Sequence, residues 1–129
     1  MSDSKKANIG SIGWFDLTVK NAAEISDFYK QVTGWTVDGL AMGEYEDYVM
    51  KMPNSGNPVA GVCHAQGMNA ALPPCWLMYI TVENIEVSIA DCVRLGGKLI
   101  SPVKNSGGMG TYCVIQDPAG AYCALFEAS

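Results

Sequence analysis

Few side chains in this chain could do chemistry. His64 is the sole histidine, and five cysteines (Cys63, Cys75, Cys92, Cys113, Cys123) are spread along the 129 residues. No two cysteines form a Cys-x-x-Cys pair and their number is odd. That pattern argues against a zinc site or a disulfide framework and for reduced, buried thiols in a cytoplasmic protein. The run from Ser106 to Gly110 is rich in glycine, but no helix is expected after it. It reads as a loop over the mouth of a site or as a plain connection, not as a phosphate cradle. What remains is one carboxylate in an apolar stretch, Asp16, and a set of tyrosines that includes Tyr79.

Asp16 and Tyr79 are 63 positions apart, and that spacing recurs. Thr18, Val19 and Asn21 reappear as Thr81, Val82 and Asn84, and Gly34 reappears as Gly97. A period near half the chain length predicts two copies of one supersecondary unit that share a groove.

Each copy reads as β-α-β-β-β. Ser11 to Val19 alternates aromatic or β-branched residues with Asp16 and Thr18, the pattern of a strand. Asn21 and Glu24 read as an N-cap pair, and Ile25, Phe28, Tyr29 and Val32 follow at helical spacing until Gly34. The spacing predicts a helix over 22–33, then strands over 35–42, 45–52 and 59–65. Residues 66–74, with Gly67, Asn69, Pro73 and Pro74, are the expected linker. The second copy has strands over 76–82, 98–100, 112–116 and 122–127 and a helix over 86–95. Asp117, Pro118, Ala119 and Gly120 form its last turn. The expected domain is single, with one module near 9–65 and the other near 75–127, behind a short polar lead, Met1 to Lys6.

Composition narrows the function. A net charge of −5 lacks the basic footprint of a nucleic-acid binder. No apolar run is long enough for a membrane span, and the start has no signal-peptide pattern. The acidic balance favours cationic ligands through long-range steering.

The stretch WFDLTVKNAAEISDFYKQVTGW, followed later by RLGGKLISPV and YCVIQDPAGAYCALFE, resembles the vicinal oxygen chelate superfamily. That superfamily includes glyoxalase I, bleomycin-resistance proteins and extradiol dioxygenases. The resemblance runs over about residues 9–127. It implies an α+β fold in which two βαβββ modules form a curled, eight-stranded mixed sheet around a cavity, with the helices outside. It also implies a divalent cation held by His, Gln or Glu side chains in metal-dependent members. Counted from the family's landmarks, the four ligand positions fall on Trp14, Gly61, Leu77 and Ala124. None carries a donor for a metal, so no metal and no other cofactor is expected. His64 and its repeat partner Glu127 should point away from the cavity, because strand residues alternate faces.

In that fold, strand alternation predicts a cavity lined by Trp14, Asp16, Tyr48, Met50, Leu77, Tyr79, Tyr112, Tyr122, Ala124 and Phe126. Trp14 could also simply fill the space a metal would leave, and Asp16 could face solvent. An aromatic lining with one carboxylate suits a flat or cationic small molecule. The expectation is a metal-independent binding protein that sequesters such a compound and pairs as a homodimer. The alternative is a lyase, isomerase or dioxygenase-type enzyme of the same superfamily, either a metal-independent lyase or isomerase using Asp16 and a tyrosine or a metal enzyme with unconventional ligands.

Overall fold

The computed structural model describes residues 8–66, 70–105 and 107–129. The Met1 to Lys6 lead, linker residues Gly67, Met68 and Asn69, and Ser106 of the glycine-rich run lie outside the described residues. The chain divides into two compact units. One is Trp14–Trp76; the other joins the residues up to Gly13 to Leu77–Ser129.

The first unit is built from β1 (Ile12–Val19), α1 (Ala22–Thr33), β2 (Thr36–Ala41), β3 (Glu46–Lys51) and β4 (Pro58–His64). Its strands run in the order β2-β3-β4-β1. β1 and β4 are parallel, with Asp16 opposite Gly61, while the other pairs are antiparallel. Helix α1 covers one face. Ala22, Met50, Ala60 and Val62 form its buried centre, with Ile25, Tyr29, Val37 and Tyr48 packed around them. Burying Met50 alone is worth about 1.5–3 kcal/mol. An aromatic cluster braces the helix: the Trp76 indole donates to Tyr29 Oη at 3.1 Å, and Trp35 lies 6.3 Å from Trp76 between ring centres. Phe28 and Val32, which belong to the helical stripe read from sequence, stay exposed.

The second unit contains β5 (Trp76–Thr81), α2 (Ile85–Arg94), β6 (Lys98–Leu99), β7 (Lys104–Asn105), β8 (Gly110–Gln116) and β9 (Tyr122–Ala128). Its order is β5-β9-β8-β6, and β7 also pairs with β8. The closing pair β5–β9 is again parallel, with Tyr79 opposite Ala124. Ile85, Cys113 and Leu125 form the core beneath α2. The two-residue strand β7 falls between the strands expected over 98–100 and 112–116, so the described strands number nine where eight were expected. A pair of residues is too short to carry a periodic signal.

The caps explain why the helices start and stop. Gly34 closes α1 with φ of 84°, and its N–H bonds to Lys30 O at 3.1 Å. Asn84 caps α2 by accepting from Val87 N at 3.1 Å. Its repeat partner Asn21 makes no side-chain cap bond, so the capping pair read from Asn21 and Glu24 does not form.

Candidate functional site

Each unit has one face covered by its helix and one left free of it. In the first unit, Gly61 opposes Asp16 on β1 and Val49 on β3, so these three share the helix-free face. Trp14 joins them, because its Nε1 donates to Asp16 Oδ1 at 2.7 Å. Gly61 is buried, and a Cβ there would overlap Asp16 Oδ1 and lie 3.5 Å from the Trp14 nitrogen. The carboxylate therefore occupies the space that any other residue at 61 would need.

Two residues further along β4, Cys63 sits beside the same carboxylate. Burial pushes its thiol far above the ordinary range, and the negative charges of Asp16 and Asp47 push it further. The thiol also hydrogen-bonds Asp47, so it is held protonated and is a poor nucleophile. Asp47 Oδ1 accepts in addition from the His64 backbone N–H at 2.9 Å.

His64 itself takes the other face, as strand alternation requires. Its ring packs near Tyr45 and Tyr48, at 5.5 and 6.0 Å between centres. Among the described residues its Nδ1 is buried without a hydrogen-bond partner, and a carboxylate oxygen of Asp47 is 3.7 Å away.

The second unit's helix-free face is aromatic and apolar. Leu77 is 3% exposed and Ala124 is fully buried. Tyr79 opposes Ala124, which also opposes Val114, and Tyr112 opposes Phe126. The rings of Tyr79 and Tyr112 lie 5.9 Å apart, tilted by 50°. Tyr122 opposes Gln116 on the same face. Glu127 is on the helix side, where its Oε1 accepts from Ile85 N at 2.8 Å and caps α2.

Eight of the ten residues read from sequence as lining fall on helix-free faces: Trp14 and Asp16 in one unit, and Leu77, Tyr79, Tyr112, Tyr122, Ala124 and Phe126 in the other. Tyr48 and Met50 do not. They oppose Val62 and Ala60, and they pack beneath α1. The helix needs an apolar floor, and Met50, with no exposed surface, supplies it. The residues that hold the expected places are Asp47, Val49 and Cys63. The repeat contains that answer, since Val49 stands 63 positions before Tyr112.

The residues do not fit a metal of the family's kind. In the first unit, a ligand side chain at 61 would have no room beside Asp16, and Trp14 presents a donor N–H, not a lone pair. In the second, Leu77 and Ala124 are buried and apolar. Among the described residues, no group of three or more His, Cys, Asp or Glu side chains could hold a metal ion. Two clefts are lined by other residues than these. One of about 310 Å³ is lined by Val19, Lys20, Asn21 and Leu72 among others, and one of about 280 Å³ by Asn105, Thr111 and Ser129 among others.

Two modules, each a strand, a helix and a run of further strands with the first and last strands paired in parallel, define an α+β protein with an internal repeat. Residues 11–125 match the Glyoxalase/Bleomycin resistance protein/Dioxygenase superfamily, and the chain belongs to it. It is 30% identical over 122 residues to CFP32 of Mycobacterium tuberculosis, which carries a provisional glyoxylase name; the match covers 93% of this chain and 46% of that protein. It is 26% identical over 133 residues to the anthracycline biosynthesis protein DnrV of Streptomyces peucetius, over 92% of this chain and 47% of that one. The chain thus spans about half the length of the curated relatives it matches. Its fold is similar to methylmalonyl-CoA epimerase from Mycobacterium tuberculosis, with a TM-score of 0.58 at 11% identity, over 93% of this chain and 88% of the other. No helix among the described residues is long and apolar enough to cross a membrane.

Proposed function

We propose that this chain binds a flat, partly aromatic small molecule on its helix-free faces without using a metal. The observation that carries the reading is the filling of the family's ligand positions: Asp16 closes the space over Gly61, and Leu77 and Ala124 are apolar and buried. Aromatic side chains beside those positions supply stacking, worth about 0.5–1.5 kcal/mol per well-placed pair. A relative named for anthracycline biosynthesis supports a polycyclic ligand, because anthracyclines are flat and fused-ringed.

The test uses two flat probes of opposite charge, 9-aminoacridine and anthraquinone-2-sulfonate, titrated into metal-free protein while tryptophan fluorescence is followed. The reading expects at least one dissociation constant in the range of about 1–100 μM. Binding of neither probe, or one tightly held metal per chain that survives dialysis, would overturn it. A second reading is a lyase or isomerase of the same superfamily, supported by the glyoxylase name of CFP32. Turnover of the hemithioacetal of methylglyoxal and glutathione, stimulated by a divalent metal, would favour that reading.

A further inference from the structure

The first unit holds a small device that its sequence conceals. Trp14, Asp16 and Gly61 lie on one face, joined by one hydrogen bond and one forbidden Cβ. The bond is short, 2.7 Å, and has an ionisable acceptor, so it is of the strong charge-assisted kind. Two residues apart on a strand, Trp14 and Asp16 would ordinarily stand side by side. Here the carboxylate leans over β4 into the space above Gly61 and presents Oδ1 to the indole N–H. The second unit repeats the register with different chemistry. Tyr79 opposes Ala124, so again a small residue on the last strand faces a larger one on the first.

We propose that Asp16 and Gly61 together are a seat for Trp14: Gly61 provides the room, Asp16 fills it, and the indole is thereby fixed as the ligand-contacting ring of this face. Asp16 is a positioning residue in this arrangement, neither a catalytic base nor a charge anchor. Gly61 is the specificity determinant, because any side chain there expels the carboxylate and frees the ring. The proposal rests on the reading of this face as a ligand face. It adds which ring reads the ligand and what holds that ring. It also predicts that removing the Asp16 carboxylate weakens ligands of either charge alike, because its effect runs through the ring it holds.

The experiment has two arms. In the first, the full chain is labelled with ¹⁵N and its three indole N–H signals are recorded without ligand. The Trp14 signal is identified by its loss in Trp14→Phe. It should lie downfield of the Trp76 signal, whose partner is the neutral Tyr29 hydroxyl at 3.1 Å. Asp16→Asn should move it upfield by several linewidths, and Gly61→Ala should move it comparably. The double variant should move it no further than the larger single shift, because the two residues act as one unit. The Trp35 and Trp76 signals report whether each variant is folded. Should Gly61→Ala fail to fold, Asp16→Asn, which preserves shape, still decides the bond. An unmoved Trp14 signal in either variant, or additive shifts in the double, overturns the seat.

In the second arm, 9-aminoacridine and anthraquinone-2-sulfonate are titrated into Asp16→Asn. Both should weaken by similar factors, about five- to tenfold. Selective loss of the cation alone would make Asp16 a charge anchor and overturn the positioning role. If wild-type protein binds neither probe, the functional reading fails, while the indole shifts still decide the seat.

Discussion

Replacing Met50 with Ala separates two roles that the sequence left confounded. As a lining residue, Met50 would govern ligand affinity and contribute little to stability. The structure puts it under α1 with no exposed surface, touching a floor made of Ala22, Ala60 and Val62. Buried Met→Ala substitutions cost about 2–5 kcal/mol, with the cost rising with the cavity left behind. Two of the three buried neighbours are alanines, too short to collapse into the hole, so the upper part of that range, about 3–5 kcal/mol, is expected. For a chain of this length each kcal/mol lowers the melting temperature by about 3–4 °C, giving a fall of roughly 9–20 °C. Urea unfolding followed by tryptophan fluorescence measures the loss directly, since Trp35 and Trp76 pack against the same cluster. The affinity for 9-aminoacridine, measured well below the melting point, should stay within about twofold. A stability loss under about 1 kcal/mol together with a tenfold change in probe affinity would refute the reasoning and return Met50 to the ligand face.

Glu127→Ala should destabilise by about 1–2 kcal/mol, because it removes both the acceptor for Ile85 N and a negative charge at the N-terminus of α2; circular dichroism melts would show it, and an unchanged melt would mean that water replaces the cap. Burial raises the Cys113 thiol from 9.0 to about 11, so the folded state keeps a proton that the unfolded chain releases. That stabilisation is fully present below pH 9 and is lost as the pH climbs towards about 11; Cys113→Ala should flatten this part of the stability–pH curve, and an unchanged slope would assign the loss to other groups. The chain should pair in solution, so light scattering at micromolar concentration is expected to give about twice the 13.8 kDa of one chain, with a monomer mass as the contrary result.

Much of the fold was written in the repeat and its punctuation. Helix α1 occupies the span that its periodicity and Gly34 marked out, and α2 begins one residue early because Asn84 is the cap. Strand faces in the second unit followed from simple alternation, as Tyr112, Ala124 and Phe126 show. Tyr48 and Met50 fall beneath the helix because the sequence alone left the register of β3 open. Methionine and tyrosine suit a ligand face as well as a core, and a two-fold pattern fixes a face only when its origin is known. Counting back from Tyr112 would have supplied that origin. The link between Asp16 and Gly61 was not legible, because it depends on pairing across two strands and on a side chain that leans. A glycine in a strand hints at close approach but does not name the neighbour that approaches.

The parallel pairing of first and last strands has a consequence for how each module is made. Asp16 and Gly61 are 45 positions apart, as are Tyr79 and Ala124, whereas β3 and β4 are joined by a short turn. Loop closure makes the distant pairing the slow event in a chain that forms its local contacts first. The β3–β4 hairpin and α1 are therefore expected to be assembled before β1 docks alongside β4. The docking step is also the one that brings the Asp16 carboxylate over Gly61. A newly synthesised chain could thus be largely structured while still unable to orient Trp14, and recovery of the Trp14 signal would time the last stage of refolding, after the bulk of the secondary structure has returned.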